Sequence, residues 1–173
     1  MPRLDEERRL ENIWGAISLA TVDKMEQAFA TAIERGPSAT AAIIQAGIEP
    51  GLSIERLRRI LALSHSATVR LVDQLVADGL VNREASIGPD KRQRALHLTG
   101  KGKAIYEAAM DARLRVSAAA LARLTEKERR SLAGMIAKMF PALVGPGDDS
   151  EVVCRLCGDE GICPLDRCPA RNE

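Results

Sequence analysis

The middle of the chain contains two short helical patterns that follow each other almost without a break. Ser53 can cap the first, which extends to Ala62, and Ser64 can cap the second, which extends to Asp78. A serine side chain does this because it accepts a hydrogen bond from an N–H group in the first helical turn. Gly79 stands where the second helix is expected to end. The pattern therefore predicts two consecutive helices joined by a tight turn.

The spacing of apolar residues changes directly after this helix pair. Residues 80–84 and 95–99 read as strands, and the loop between them contains Gly88 and Pro89, which predicts a short β-hairpin. A helix pair followed by such a hairpin is a winged helix-turn-helix. In that arrangement one helix enters the major groove of DNA, and the hairpin reaches a neighbouring groove or the backbone.

The second helix of the pair has two different faces. At about 100° per residue, its aliphatic side chains cover roughly 200° of the helix and predict a packed face. The remaining face can read bases, and arginine is the commonest bidentate partner of guanine. Thr68 lies towards the aliphatic side, His65 can touch phosphate or be solvated, and Asp73 is interpreted as a partner of a nearby arginine. The candidate DNA contacts are Ser64, His65, Ser66, Thr68, Arg70 and Gln74.

The predicted hairpin adds positive charge to this part of the chain. Residues 52–104 contain ten Lys and Arg against five Asp and Glu, a balance of +5 in a chain whose total is +1. Cationic side chains bind polyanions by releasing condensed counterions. A charged loop alone is usually just solvated, but here it follows a helix-turn-helix, so we predict nucleic-acid binding. Its candidate DNA contacts are Asp90, Lys91, Arg92 and Arg94.

The rest of the chain has a helical period, so the predicted fold class is mainly α, with a long-helix dimerisation region and a short β-hairpin wing. Predicted helices cover residues 6–34, 38–45, 100–124 and, after a Thr125–Glu128 capping box, 125–141. The predicted divisions are an N-terminal dimerisation helix (1–35), a winged region (36–99), C-terminal dimerisation helices (100–143), a flexible linker (144–150) and a cysteine tail (151–173).

The winged region resembles a known family at particular residues. The segments LSHSATVRLVDQLVADGLVNREAS and DKRQRALHLTGKG are similar to the recognition helix and wing of the MarR (multiple antibiotic resistance regulator) family. The likeness includes an Asp-x-Arg wing signature at Asp90 and Arg92 and an L-x-L-T-x-x-G ending from Leu96 to Gly102. It extends over about residues 8–141.

This resemblance implies a homodimer whose first helix and last two helices interlock, and which binds a pseudo-palindromic operator on double-stranded DNA, usually as a repressor. It also implies a small-molecule effector for many members, bound in a crevice between head and dimer helices. Some members sense oxidation through a cysteine near the N-terminus, and this chain has none there. The apolar stripes of residues 10–33, 104–124 and 128–143 favour a dimer independently, although a monomeric helical bundle would also bury them.

All four cysteines lie in the last twenty residues, with the spacing C-x2-C-x5-C-x4-C. Clustered cysteines in a reducing cytosol are more often metal ligands than disulfides, and a C-x2-C turn brings two sulfurs to one side. Disulfides, or thiols with no shared role, are the alternatives. The predicted metal ligands are Cys154, Cys157, Cys163 and Cys168.

The cysteine spacing does not decide which metal binds. It is similar to zinc knuckles, in which case the tail is a structural clip, and its C-x2-C-x5-C part and Cys-Pro steps resemble iron-sulfur segments. Both centres accept four thiolates. We favour a 4Fe-4S cluster over zinc because a regulator benefits from a labile centre. We hypothesise that the tail folds around its metal against the last dimer helix, and that losing the metal changes the spacing of the two heads.

Several function classes have little support in the sequence. The first residues are charged and lack the apolar core of a secretory signal, and no stretch is apolar enough to cross a membrane, so we expect a cytoplasmic protein with no membrane partner. His65 and His97 are the only histidines and lie near no nucleophile constellation, so we expect no enzyme. A dimeric metal or redox carrier that does not bind DNA is the competing hypothesis.

Overall fold

The structure is a computed structural model that describes residues 2–85, 94–144 and 150–157. Most of these residues are helical, and the remainder form a small antiparallel sheet, as the sequence predicts. The helices are α1 (Pro2–Ile33), α2 (Pro37–Ile48), α3 (Ile54–Ile60), α4 (His65–Ala77), α5 (Gly100–Leu121), α6 (Glu126–Leu143) and α7 (Ser150–Val153). The strands are β1 (Leu52–Ser53), β2 (Val81–Ala85) and β3 (Arg94–Leu98).

Helix starts lie where the capping residues predict them. Ser53 Oγ accepts a hydrogen bond from the Arg56 N–H at 3.1 Å, and Ser64 Oγ accepts one from the Ala67 N–H at 3.2 Å. At the start of α6, Thr125 and Glu128 form the predicted capping box, with the Thr125 N–H donating to Glu128 Oε2 at 2.8 Å. These contacts join residues three positions apart, which explains why the sequence alone reveals them.

The end of α2 differs from the prediction. The helix predicted over residues 38–45 continues through Gly47 to Ile48. A Cβ atom at position 47 would lie 2.5 Å from the ring of Tyr106, so the glycine permits close packing of α2 on α5.

The two predicted strands of the hairpin pair with each other. β2 and β3 are antiparallel, with Val81 opposite Leu98 and Ala85 opposite Arg94, and the sheet order is β1-β3-β2. The two-residue strand β1, which pairs Leu52 with Leu96, was not predicted because a pair of residues carries no alternation. The hairpin loop, with Asp90, Lys91 and Arg92, lies outside the described residues.

The chain has two apolar cores that meet at α2. The core of the winged head contains Ile43, Leu52, Leu57, Ile60, Val72, Leu75, Leu80, Val81 and Leu96. The core of the helical body contains Phe29, Ile33, Ile44, Ala109, Met110 and Ala112. The neighbours Ile43 and Ile44 enter different cores, so α2 contributes to both the head and the body.

The long helices leave other apolar side chains uncovered. Leu10 is 68% exposed and Ile17 is 56% exposed on the N-terminal half of α1, and Met135 is 57% exposed on α6. α6 contributes no buried residue at all. The predicted stripes therefore exist, and among the described residues the C-terminal half of α1 and part of α5 pack against each other.

No helix in the described ranges has the length and apolar character needed to cross a membrane.

Candidate nucleic-acid interface

The turn between α3 and α4, residues 61–64, sets the position of the second helix. The Ala62 N–H donates to the Arg59 carbonyl at 3.0 Å and the Leu63 N–H donates to the Arg58 carbonyl at 3.1 Å. Ala62 has a φ of 51°, in the left-handed region that non-glycine residues rarely adopt. The turn is thus held by backbone hydrogen bonds in a conformation that local preference opposes.

The inward face of α4 anchors it in the head. Thr68, Val72 and Leu75 are buried, and the Thr68 hydroxyl donates to the Ser64 carbonyl at 3.0 Å. The prediction that Thr68 contacts DNA is therefore wrong: its side chain has no exposed surface, and a carbonyl one turn earlier satisfies its hydroxyl.

The outward face of α4 carries the other predicted contacts. His65, Ser66 and Arg70 are exposed, and Arg70 forms no ion pair with any residue that the structure describes. Ser64 is exposed too, but its Oγ caps α4 and lies 3.3 Å from Ser66 Oγ. Gln74 is exposed, and its Nε2 donates to Asp78 Oδ1 at 3.0 Å. Arg70 is therefore the cation of α4 that is ready to meet another molecule.

Asp73 has the intramolecular role that the sequence indicated. Its Oδ1 lies 2.7 Å from Nη1 of Arg83, which belongs to β2, so the pair ties the recognition helix to the wing. Farther along, Asp78 Oδ2 lies 2.6 Å from Nη1 of Arg35, which follows α1. Both acidic side chains face arginines of the same chain, which leaves Arg70 without a competing carboxylate from them.

Electrostatics at the first helix of the pair are local. Arg58 donates to both carboxylate oxygens of Glu55 at 3.0 Å, and this hydrogen bonding holds the pKa of Glu55 below its ordinary value. The same contact raises the pKa of Arg58. Glu55 therefore stays ionised to a lower pH than an isolated glutamate would, and its charge neutralises that of Arg58 on α3.

The wing contacts stay predictions. Arg94 pairs with Ala85 through the backbone of β3, but its side chain is not described. The residues Asp90, Lys91 and Arg92 fall in the gap between the strands, outside the described part.

Comparison with known proteins identifies the head. Residues 33–93, which span α2, the helix-turn-helix and β2, match the model of the MarR family. Over these residues the chain is similar to the MarR family. The resemblance found in the recognition helix and wing is thereby confirmed.

Curated relatives of this MarR-type head are named as regulators. The HTH-type transcriptional regulator PetP of Rhodobacter capsulatus is 40% identical over 73 residues, 41% of this chain and 43% of its own length. A Thauera aromatica protein, named as a transcriptional regulatory protein for the hcr operon, is 32% identical over 91 residues, 53% of this chain and 54% of its own. The chain thus spans about half, or less, of the length of these relatives.

Solved structures show the same fold over most of the chain. YusO from Bacillus subtilis is 20% identical with a TM-score of 0.68, covering 82% of this chain and 97% of its own. MepR, a transcription regulator of the Staphylococcus aureus multidrug efflux pump MepA, is 17% identical with a TM-score of 0.67, covering 77% and 97%. A MepR mutant bound to an oligodeoxyribonucleotide has a TM-score of 0.58 at 18% identity, covering 78% and 97%.

The cysteine tail is described only in its first part. Cys154 and Cys157 are both thiols on one turn, in which the Cys157 N–H donates to the Cys154 carbonyl at 2.7 Å. Cys163 and Cys168 lie beyond the last described residue. Among residues 2–85, 94–144 and 150–157, no group of three or more His, Cys, Asp or Glu side chains is placed to hold a metal ion. The four-cysteine metal site stays a prediction.

The tail lies against the protein in an unexpected place. Gln45 of α2 donates to the Arg155 carbonyl at 2.9 Å, and Arg113 of α5 donates to the Leu156 carbonyl. α7 contacts α3. Within the described residues the tail contacts α2, α3 and α5, and the hypothesis that it folds around a metal against the last dimer helix stays a prediction. The sequence analysis did not predict Gln45 or Arg113 as partners of the tail.

The predicted linker is not wholly separate from the body. Val144, its first residue, is buried, and Ser150, its last, begins α7. The intervening residues 145–149 lie outside the described ranges. Both ends of the predicted linker are therefore in contact with the rest of the protein: Val144 is buried, and α7 contacts α3.

Proposed function

We propose that this protein is a homodimeric transcriptional regulator of the MarR type that binds a pseudo-palindromic operator on double-stranded DNA as a repressor, and that it is not an enzyme. The observation that carries the proposal is the division of α4, with Val72 and Leu75 buried while Ser66 and Arg70 are exposed. A recognition helix needs this division, because it must pack on its own domain and present polar side chains to base edges.

The relatives support the same class of function. PetP and the Thauera aromatica protein are named as transcriptional regulators, and the MepR mutant was solved with an oligodeoxyribonucleotide. The repressor assignment is supported by the family resemblance alone.

The uncovered stripes of α1 and α6 support the homodimer. Leu10 and Ile17 on α1 and Met135 on α6 expose more than half of their surface, and exposed apolar stripes of this length are typical of interaction surfaces. A two-fold dimer would bury both helices and place two heads on one duplex, where tethering multiplies their affinities.

Replacing Arg70 tests the DNA interface. The wild-type chain first selects duplexes from a random library at low salt, and affinities are then measured by fluorescence anisotropy. We expect Arg70→Ala to weaken binding by about 1 to 3 kcal/mol, or roughly fivefold to 150-fold, as for loss of a base or close phosphate contact.

Arg130→Ala is the matched control. It removes the same charge from an exposed arginine of α6 that pairs with Glu126 at 2.8 Å, far along the chain from the head. Equal affinities of the two variants would contradict the interface, and a wild-type chain that selects no duplex would contradict DNA binding altogether. The metal-carrier hypothesis predicts that neither variant differs from the wild type.

We propose further that Cys154, Cys157, Cys163 and Cys168 bind a metal centre, with a 4Fe-4S cluster favoured over zinc. The turn that joins Cys154 and Cys157 fits the start of such a site, since C-x2-C ligands lie on one tight turn. A cluster would supply a labile, redox-active centre to the regulator. The alternative is the same regulator with a structural zinc tail and a small-molecule effector.

Anaerobic purification with absorption spectroscopy and metal analysis tests the centre. Visible absorption with about four irons per chain supports the cluster. A colourless protein with about one zinc per chain supports the structural alternative. A chain with neither metal, indistinguishable from a variant with all four cysteines changed to serine, overturns the site.

A further inference from the structure

Two consecutive carbonyls of the tail are held by different parts of the molecule. Residues 152–157 are called the docked segment. Its Arg155 carbonyl accepts a hydrogen bond from Gln45 of α2, at 2.9 Å, and its Leu156 carbonyl accepts one from Arg113 of α5. α2 contributes to both cores and α5 contributes to the body core, so these polar contacts hold the docked segment where the head and the body meet.

An apolar contact fixes the same segment. The Leu156 side chain packs against the body core, which includes Phe29 and Ile33 of α1 and Ile44 of α2. Val153, in contrast, is 42% exposed on the outer side of the segment. The docked segment is therefore amphipathic: one side chain is inserted and another faces solvent.

The docked segment also reaches the helix-turn-helix turn. A cavity of about 390 Å³ is walled by Met25 and Phe29 of α1, by Leu61 and Ala62 of the turn, and by Val152 and Leu156 of the docked segment. Ala62 is the residue with the left-handed backbone. A turn held in a sparsely populated conformation depends on its packing surroundings, so the residues that wall this crevice, including the docked segment, act on the start of α4.

We propose that docking of residues 152–157 in this crevice fixes the winged head relative to the helical body and thereby raises DNA affinity. This regulatory contact rests on the proposed DNA-binding function. It does not act by covering the interface, because Ser66 and Arg70 are exposed while the segment is docked. Docking acts by restricting the motion of the head relative to the body, since a head that is already fixed loses less conformational freedom when it binds DNA. Cys154 and Cys157 belong to the docked segment, so a change at either thiol that displaces the segment would also release the head.

Leu156→Asp tests docking, and Val153→Asp is its control. Both add one carboxylate to the same segment, but only position 156 is inserted into the core. In the full-length chain, treated with a chelator under reducing conditions, alkylation of Cys154 is followed by mass spectrometry, with the exposed Cys157 as internal reference. We expect Leu156→Asp to raise the rate at Cys154 about threefold or more, and Val153→Asp, whose carboxylate lies next to Cys154, not to raise it.

Duplex binding tests the coupling. We expect Leu156→Asp to weaken affinity by about threefold to tenfold relative to Val153→Asp, in the range that loss of preorganisation produces. Gln45→Leu, which keeps the side-chain size but cannot donate to the Arg155 carbonyl, should weaken affinity in the same direction by less. It provides a second variant that puts no charge into the core, in case Leu156→Asp fails to fold.

The outcomes separate the two proposals. An unchanged Cys154 rate in both Leu156→Asp and Gln45→Leu overturns docking. A faster rate with affinity equal to the Val153→Asp control overturns the coupling while the regulator assignment stands. A wild-type chain that binds no duplex overturns the regulator assignment and the coupling together, while the alkylation rates still decide whether the segment docks.

Discussion

Leu57 in the winged head is fully buried, whereas Ile17 in α1 is 56% exposed, although both are aliphatic residues of predicted helices. The head contains short elements that meet from several directions, so helices α2, α3 and α4 and the sheet cover one another's apolar faces. The apolar side chains on the N-terminal half of α1 and on α6 stay largely exposed, because no other element among the described residues covers them. The same pattern of apolar residues therefore builds a core in one region and an unpartnered surface in the other.

The difference implies two kinds of stability. A core that is complete within one chain contributes a free energy of unfolding that does not depend on protein concentration. A stripe that is covered only by a second copy contributes a free energy that does, because association follows mass action. The predictions below address the head first and the long helices afterwards.

Leu57→Ala should have the largest effect. Removing a fully buried leucine leaves a cavity in the head, and we expect the free energy of unfolding to fall by about 2 to 5 kcal/mol. Urea denaturation at two protein concentrations measures it, and the loss should be the same at both. Leu19→Ala is the control, since that side chain is 70% exposed and lies on the opposite side of α1 from Ile17. A Leu57→Ala loss that varies with concentration would contradict a self-contained head core.

Ile17→Asp should have the next largest effect, and on association rather than on the head. A carboxylate in the proposed dimer interface should cost about 1 to 3 kcal/mol, or roughly fivefold to 150-fold in the dimer dissociation constant. Sedimentation over a concentration series measures it. Asn12→Asp adds the same charge on the other side of α1 and should leave the dimer intact. Equal dissociation constants for the two variants, or a wild-type chain that is monomeric at all concentrations, would contradict the proposed dimer.

Lowering the pH should have the smallest effect on stability, and the loss of stability should be greater at α6 than at α3. The Thr125 N–H donates to Glu128, which lowers the Glu128 pKa from 4.5, and hydrogen bonding from Arg58 lowers that of Glu55. A folded-state pKa below the unfolded value means stabilisation that is present above pH 4.5 and lost as pH falls through the folded pKa.

The two regions should respond differently because α6 has no buried residue, whereas Leu57 and Ile60 hold α3 in the head core. Hydrogen exchange with mass spectrometry, from neutral pH to below the folded pKa and corrected for intrinsic rates, should show the first turn of α6 losing protection before α3 does. Glu128→Gln keeps an acceptor oxygen but does not titrate, so it should remove the pH dependence at α6. Simultaneous loss in both helices would indicate global unfolding instead.

Much of the head could be predicted because its signals are local. Ser53 and Ser64 cap helices through contacts three residues along the chain. Asp73 was paired with an arginine because a lone carboxylate on a DNA-reading face would be unfavourable. The family resemblance extended this reading to the wing and operator. Thr68 was misassigned although its position towards the aliphatic side was visible, because the helical angle does not say how far the packed face extends.

The sequence by itself determined the helix starts, the hairpin strands and the polar face of α4, since these depend on side chains a few residues apart. Only the tertiary structure decided that Gly47 makes room for Tyr106, and that Gln45 and Arg113 receive the tail more than forty residues away. Such contacts depend on how separate elements meet in space, and no periodicity or capping rule carries that information. The contacts of Gln45 and Arg113 position the docked segment beside the turn that precedes the recognition helix.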